Sequence, residues 1–256
     1  MSPLPNALSP AEWHTRFLVQ AKWTHENRLR LYQKVKIGST HRVLEVGCGT
    51  GVLTAELHHL TWAQIHGVDL AADFLNFAGK EDRKTQFILG DGLALPYRSA
   101  IFDLSLCQFY LLWVHDPLQA LVEMKRITRP GHPIIALAEP DYGGRIDYPI
   151  ELEELGRLQT EGLRRQGANP LIGRELAALF SKAGLKQIET GLLGGEWRHP
   201  IPPNEWGTEW TTLAVDLVNL APPNRIRELC SLDQAAWRNG DRVLFVPTFY
   251  ALGWVD

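Results

Sequence analysis

The sequence predicts an α/β protein built on a doubly wound parallel sheet. Between residues 42 and 140, short apolar runs of strand length alternate with segments of helical periodicity. A glycine-rich turn at residues 47–51 links the first of these strands to its helix. Because such alternation requires right-handed crossovers, helices are expected on both faces of the sheet. With 256 residues, 45% of them hydrophobic, the chain is long enough for one large core.

A helix is predicted before the first strand. Ser9 is a suitable N-cap, Pro10 takes the first helical position, and Glu12 completes a capping box. The helical pattern continues to about residue 35 as one helix or two. One face carries residues at helical spacing, namely Trp13, Phe17, Gln20 and Thr24.

The strands and helices of the sheet follow in strict alternation. Strands are predicted at residues 42–46, 64–70, 85–90, 102–109 and 134–140. Helices are predicted at residues 52–60, 71–80 and 116–128.

The alternation changes after residue 140. Residues 141–149 are predicted to form a loop and residues 150–167 a charged helix. A helix at 174–185 and a strand near 186–195 resume the pattern. Residues 197–240 look irregular around a helical stretch at 209–220, and the last 16 residues form one strand or a bent pair. We expect one domain, residues 1–256, with insertions at 141–172 and 197–240.

The net charge and the cysteine content limit which cellular compartment and which classes of binding partner the sequence favours. The formal net charge is -3, which does not favour a nucleic-acid partner. Cys48, Cys107 and Cys230 are too few and too far apart for a disulfide framework or a zinc site. The first 14 residues have neither the basic nor the apolar region of a signal peptide, and no apolar stretch approaches about 18 residues, so we expect neither a signal peptide nor a membrane partner. The prediction is a cytoplasmic protein.

The glycine turn, in "HRVLEVGCGTG", indicates a ligand at the N-terminus of the following helix. Gly47, Gly49 and Gly51 do not match the dinucleotide pattern G-x-G-x-x-G, because position 52 is valine. No Gly-Lys-Ser/Thr follows, so the P-loop pattern fails as well. A phosphate chain is therefore disfavoured.

"VLEVGCGTG" resembles the first motif of the class I S-adenosylmethionine-dependent methyltransferases. "GVDLA", with Asp69, "GDGLALPY", with Asp91, and "EMKRITRPG" resemble later motifs of that family in the same order. The resemblance covers residues 42–140 well and 174–256 weakly. It implies a Rossmann-like, doubly wound, seven-stranded sheet, mostly parallel with an antiparallel last strand and helices on both faces.

The resemblance also implies a binding site for S-adenosylmethionine. The glycine turn would cradle the amino acid part of the cofactor, Asp69 would accept hydrogen bonds from the ribose, and Asp91 would face the adenine amino group. The first helix, within residues 1–38, would act as a lid. The predicted cofactor residues are Arg16, Gln20, Trp23, Glu45, Gly47, Cys48, Gly49, Gly51, Asp69, Leu70, Asp91, Gly92, Leu93 and Gln108.

Candidates for contact with a methyl acceptor follow the fourth strand. Tyr110 and His115 are the predicted catalytic residues, with His115 a candidate base near neutral pH. His115 is equally consistent with a helix N-terminus that Asp116 caps. Glu139 and Asp141 are candidates to border the acceptor.

The insertions indicate the chemical class of the acceptor, and the fourth strand indicates whether a metal ion is bound. Trp197, Trp206 and Trp210 would line a pocket for a planar or apolar acceptor. Cys107 and Gln108 are poor ligands for Mg²⁺, so no metal is expected.

Methyl transfer to a small molecule by in-line displacement, driven mainly by positioning, is the function predicted from these features. A nucleic-acid or protein methyltransferase, a non-catalytic S-adenosylmethionine-binding protein and a nicotinamide-dependent dehydrogenase remain alternatives.

Overall fold

A seven-stranded sheet forms the centre of the computed structural model, which describes residues 8–193 and 203–256. Its strands are β1 (Arg42–Val46), β2 (Gln64–Asp69), β3 (Gln86–Leu89), β4 (Leu104–Cys107), β5 (Pro133–Pro140), β7 (Lys186–Leu192) and β9 (Thr248–Trp254). The order across the sheet is β3-β2-β1-β4-β5-β9-β7. Strand β9 runs antiparallel to both of its neighbours, whereas the β1 to β5 pairs are parallel. The predicted mostly parallel sheet with an antiparallel last strand is confirmed.

Helices cover both faces of this sheet. The α-helices of the described chain, including those of the inserted segments, are α1 (Pro10–Lys34), α2 (Val52–Leu57), α3 (Ala72–Glu81), α4 (Pro117–Ile127), α5 (Glu153–Arg165), α6 (Leu176–Lys182), α7 (Pro203–Asp216) and α8 (Pro223–Asn239). The capping box at Ser9 and Glu12 is present, and α1 is a single helix of 25 residues. Asp116 caps α4 by accepting from the Gln119 N–H at 2.9 Å.

A second, two-stranded sheet corrects the prediction of a loop at residues 141–149. It pairs β6 (Ile146–Tyr148) with β8 (Val243–Phe245) in antiparallel register. Only the middle residue of β6, Asp147, is buried, while Ile146 and Tyr148 are exposed. This polar-in, apolar-out order reverses the alternation that indicates a strand, so sequence periodicity could not detect it.

The prediction of an irregular segment at 197–240 was also wrong over most of its length. In the described part of it, α7 begins at Pro203 and α8 follows from Pro223 to Asn239. Prolines near both helix starts resemble loop signals, although proline is favoured in the first turn of a helix. The last 16 residues contain two strands, β8 and β9, which belong to different sheets.

Three apolar clusters form the core. Two lie on the two faces of the large sheet, around Phe180 on one and Leu57 on the other. The third joins α5, α7 and α8 through Leu155, Trp210 and Leu229, so the inserted segments have a core of their own. Among the described helices, none is long and apolar enough to cross a membrane.

Candidate functional site

The glycine-rich loop after β1 is anchored to the end of β2. The N–H groups of Gly47 and Cys48 donate to the carbonyl of Val68 at 2.8 and 3.1 Å. The Gly49 N–H donates to the Asp69 carboxylate at 2.8 Å. These bonds fix the loop at the carboxyl edge of the parallel strands, where ligands bind in open α/β sheets.

Left-handed backbone conformations and close aromatic neighbours explain the glycines at two positions. Gly47 has a φ of 72°, and a Cβ there would overlap the Tyr110 ring. Gly49 has a φ of 52°, and a Cβ there would lie 3.1 Å from the Phe17 ring. Two aromatic side chains therefore pack directly against the loop, a feature that the sequence pattern did not reveal.

Helix α1 covers this loop with an aromatic cluster. The Phe17 ring lies 5.4 Å from Trp13 and 6.0 Å from Phe74, measured between centroids. His14 Nδ1 lies 3.0 Å from the Thr50 hydroxyl. The N-terminal helix is therefore attached to the loop by both apolar and polar contacts.

Two acidic side chains stand at the ends of neighbouring strands. Asp69 is the last residue of β2 and accepts from the N–H groups of Gly49 and Ala71 at 2.8 and 2.9 Å. Asp91 follows β3 and accepts from the Leu93 N–H at 2.9 Å. Because a carboxylate offers about four lone-pair directions, both retain capacity to accept from a ligand.

Glu45, near the end of β1, is a buried carboxyl group beside the loop. Its Oε2 atom has no hydrogen-bond partner in the described parts of the chain. Burial raises the pKa of Glu45 well above its ordinary value, and Arg28 partly opposes this. Arg28 itself is ion-paired with Glu56 at 2.5 Å. Glu45 is therefore an acceptor that the protein leaves incompletely satisfied.

The segment after β4 is held by a buried carboxyl group. Glu139 accepts from the N–H groups of Tyr110 and Leu111 at 2.9 Å each, and of Leu112 at 3.2 Å. The preceding residue, Phe109, has a φ of 49°, a strained conformation that these bonds maintain.

The expectation that Glu139 and Asp141 border the acceptor is corrected by these contacts. Glu139 faces backbone N–H groups, and Asp141 pairs with Arg174 at 2.7 Å. Neither carboxyl group lines the cavity described next. Both positions are polar because they fix the chain after β4 and β5.

A single cavity of about 1190 Å³ runs from the glycine loop to the inserted helices. We call its two ends the glycine-loop half, bounded by Glu45, Gly47, Asp69 and Asp91, and the tryptophan half, bounded by Trp206, Trp210 and Trp237.

The cavity brings together nearly all the predicted site residues. Those that line it are Arg16, Gln20, Trp23, Glu45, Gly47, Cys48, Gly49, Asp69, Leu70, Asp91, Gly92, Leu93, Gln108, Tyr110 and His115. Gly51 lies outside the wall, because it caps α2 and its Cα faces Phe87. Trp197 falls outside the described residues.

Tyr110 and His115 occupy different parts of this cavity. The Tyr110 ring packs between Gly47 and Gly92, within the glycine-loop half, and burial raises its pKa. His115 is exposed just before the N-cap of α4. The geometry therefore separates these two candidates, and an ionised Tyr110 is disfavoured near neutral pH.

A buried polar network supports the tryptophan half. The indole N–H groups of Trp206 and Trp210 both donate to Asp233 at 2.8 Å. Arg242 bridges Asp233 at 2.6 Å and Asp147 at 2.7 Å. Sequence reasoning missed this network, because Asp147 and Arg242 are 95 residues apart and no local pattern connects them.

We searched the described residues for side chains grouped closely enough to bind a metal ion. No group of three or more histidine, cysteine, aspartate or glutamate side chains there is arranged to hold an ion. The expectation of a metal-free site stays a prediction.

Comparison with known proteins adds family information. Residues 44–136 match the family model described as a methyltransferase domain. An uncharacterized methyltransferase of Schizosaccharomyces pombe is 30% identical over 167 residues, which cover 60% of this chain. The match also covers 60% of that protein, so the chain spans less than two thirds of its length. A demethylmenaquinone methyltransferase of Bacillus licheniformis is 27% identical over 191 residues, covering 68% of this chain and 81% of that protein.

A solved structure has the same fold. The phosphoethanolamine N-methyltransferase 2 of Haemonchus contortus, solved with S-adenosyl-L-methionine, superposes with a TM-score of 0.59 at 15% identity. The match covers 90% of this chain and 52% of that one. The order of the sheet, the glycine loop and the family match identify residues 44–136 as a class I S-adenosylmethionine-dependent methyltransferase domain.

Proposed function

We propose that this chain transfers the methyl group of S-adenosylmethionine to a small molecule with a planar or apolar surface. The observation that carries the proposal is the continuous cavity, which joins an acid-rich half to a tryptophan-lined half. Its volume of about 1190 Å³ exceeds that of most pockets for one drug-sized ligand, and it has room for a donor beside an acceptor.

The glycine-loop half fits the donor chemically. S-adenosylmethionine presents an ammonium group, ribose hydroxyls and an adenine amino group, all of which donate hydrogen bonds. The wall offers the matching acceptors Glu45, Asp69 and Asp91, while Arg16 supplies a cation for the donor's carboxylate. The glycine loop lacks the third glycine of the dinucleotide pattern, because position 52 is valine, and this disfavours a dehydrogenase.

When bound, the sulfonium supplies a methyl group whose leaving group is a neutral thioether. The protein's contribution is then to align the acceptor and exclude water. Trp13 and Phe17 of α1 would close over the glycine-loop half as a lid. Leu155, Leu163 and Leu213 give the tryptophan half an apolar wall.

A base is required only where the acceptor loses a proton during transfer. His115, exposed at the cavity wall, is the candidate we propose for that role. Tyr110 is proposed to contact the cofactor, because its ring bridges Gly47 and Gly92.

Two observations support a small acceptor over a nucleic acid. The arginines Arg145 and Arg242 of the tryptophan half are each ion-paired with aspartate, so they form no free basic surface. The Bacillus licheniformis relative is named for demethylmenaquinone, itself a small molecule.

Calorimetric titration with S-adenosylhomocysteine tests the cofactor assignment. Wild type should bind one equivalent, and Asp69→Asn should weaken binding about tenfold, because a charge-assisted hydrogen bond is lost. Asp73→Asn, an exposed aspartate on α3, is the matched control and should bind normally. Binding of NAD in place of S-adenosylhomocysteine would refute the assignment.

Transfer of labelled methyl from S-adenosylmethionine into fractionated metabolite extracts tests the reaction itself. Label is expected in small molecules and not in protein or RNA. Tight cofactor binding without any transfer would instead identify a non-catalytic binding protein.

A further inference from the structure

Helix α7 presents two buried polar side chains to the tryptophan half. Thr212 and Asp216 are one helical turn apart, and both line the cavity. Their exposures are 6% and 7%. The Thr212 hydroxyl has no hydrogen-bond partner within residues 8–193 and 203–256. A buried, unpartnered hydroxyl in a cavity wall calls for a specific explanation.

Asp216 is held in place by two amides. Gln166 donates to one of its oxygens at 2.9 Å, and Gln159 donates to the other at 3.1 Å. The carbonyl oxygen of Gln159 accepts from Arg145, which fixes the direction of that amide. Arg145 is in turn bound by Asp147 at 2.6 Å. The network therefore orients the Asp216 carboxylate without neutralising it.

Asp216 differs from the neighbouring acidic side chains because the nearby arginines form their ion pairs with other carboxylates. Arg145 pairs with Asp147, and Arg242 pairs with both Asp147 and Asp233. Arg16, the other cation of the cavity wall, pairs with Glu209 at 3.6 Å. Within the described ranges, no arginine, lysine or histidine nitrogen comes within 4.0 Å of Asp216.

Burial raises the pKa of Asp216, whereas its hydrogen bonds to Gln166 and Gln159 and the more distant charge of Arg16 oppose this. A buried carboxylate whose direct hydrogen-bond donors are neutral amides remains costly until a further donor or a cation contacts it. The rest of the wall, including Leu163 and Trp210, offers apolar surface. A ligand that satisfies both features combines an apolar ring system with an O–H or N–H group.

We infer that Thr212 and Asp216 form a polar subsite for a hydroxyl or amine group of the methyl acceptor. The inference rests on the proposed function and names the class of acceptor. Asp216 accepts a hydrogen bond from the acceptor, and the Thr212 hydroxyl bonds to the same oxygen or nitrogen. The subsite sets the orientation of a ring that the apolar walls alone would leave free to rotate.

Equilibrium dialysis with S-adenosylhomocysteine-saturated protein tests the subsite. The probes are naphthalene, 2-naphthol and 2-naphthylamine, which share one ring system and differ in the polar group. Wild type should bind 2-naphthol or 2-naphthylamine about tenfold more tightly than naphthalene, the value of one charge-assisted hydrogen bond. Which of the two binds more tightly distinguishes a hydroxyl-bearing from an amine-bearing acceptor.

Thr212→Val and Asp216→Asn should each reduce that preference at least threefold and leave naphthalene binding unchanged. Thr211→Val is the matched control, because Thr211 is exposed on the same helix and its hydroxyl donates to the Gly207 carbonyl. The control should retain the full preference.

Thermal unfolding separates this role from a structural one. Thr212→Val removes a hydroxyl that has no partner in the described chain, so its Tm should equal or exceed that of wild type. A lower Tm with an unchanged probe preference would overturn the inference, as would equal binding of all three probes by wild type. Failure of wild type to bind S-adenosylhomocysteine would instead refute the proposed function.

Discussion

At the scale of single residues, the carboxyl group of Glu139 determines where the chain runs beside the proposed cofactor site. It accepts three consecutive backbone N–H groups, those of Tyr110, Leu111 and Leu112. Those residues follow Phe109, whose left-handed conformation is unfavourable for an aromatic side chain. One side chain on β5 thus supports a strained turn on the neighbouring strand.

Glu139→Gln should destabilise the protein by about 1–3 kcal/mol, because an amide nitrogen cannot accept from backbone N–H groups. Urea unfolding at pH 6 measures the loss. The exposed Glu81→Gln at the end of α3 is the control, and it should unfold like wild type. Equal stability of the two variants would show that the three bonds contribute nothing net.

The same residue predicts a pH dependence. Burial raises the pKa of Glu139 from 4.5 to about 7, although three backbone N–H donors oppose the shift. Between those values the folded protein holds a proton that the unfolded chain has released. The contribution of Glu139 to stability is therefore full below pH 4.5 and falls by about 3 kcal/mol as pH rises through 7. Unfolding from pH 4.5 to 8 should show this decline in wild type and not in Glu139→Gln; parallel profiles would contradict it.

At the scale of elements, α1 affects more of the cavity than any other helix, because it contacts both the glycine loop and the inserted helices. Phe17 packs on Gly49, and Arg16 pairs with Glu209 of α7 at 3.6 Å. Movement of α1 would therefore affect both halves of the cavity.

Phe17→Ala should weaken binding of S-adenosylhomocysteine about tenfold, since loss of the ring frees α1 from the loop that it covers. It should also speed proteolysis within residues 10–34. Leu18→Ala, whose side chain is exposed on the same helix, should alter neither property. Calorimetry and limited proteolysis measure the two effects, and an equal response of both variants would contradict the assignment.

The predictable elements are those whose signals are local. The parallel strands β1 to β5 were predictable because each is a short apolar run bounded by turn residues, and the glycine loop because its spacing is rigid. Strand β6 was not, because its inward residue is Asp147, which becomes favourable only beside Arg145 and Arg242. Helix α8 was not predicted, because the prolines at its start resemble loop signals. The pair Thr212 and Asp216 lay within a predicted helical stretch, but which way it faced depended on packing against α5.

At the scale of the whole molecule, the cavity links a sheet and a set of insertions that have separate cores. The two large clusters sandwich the sheet, while the third lies among α5, α7 and α8. Ligands that bind between these parts should stabilise the folded chain by mass action.

S-adenosylhomocysteine at one hundred times its Kd should stabilise the folded state by about 2.7 kcal/mol. For a chain of this size that corresponds to a rise in Tm of roughly 5–10 °C. Differential scanning fluorimetry measures the shift, with Asp69→Asn at the same ligand concentration as the weak-binding control. A rise with NAD and none with S-adenosylhomocysteine would exclude the proposed donor.

The two halves of the cavity are built by different segments of the chain, and this affects how substrate specificity can change during evolution. The glycine-loop half is built by the strand ends of the sheet and by α1, whereas the tryptophan half is built mainly from segments between β5 and β9. Among these segments, α5, α7 and α8 share a separate core and border the ion network, so substitutions on their cavity-facing side change no strand of the large sheet. A lineage can therefore exchange one methylated compound for another by recombining or rewriting the insertions, while the inherited donor chemistry is conserved.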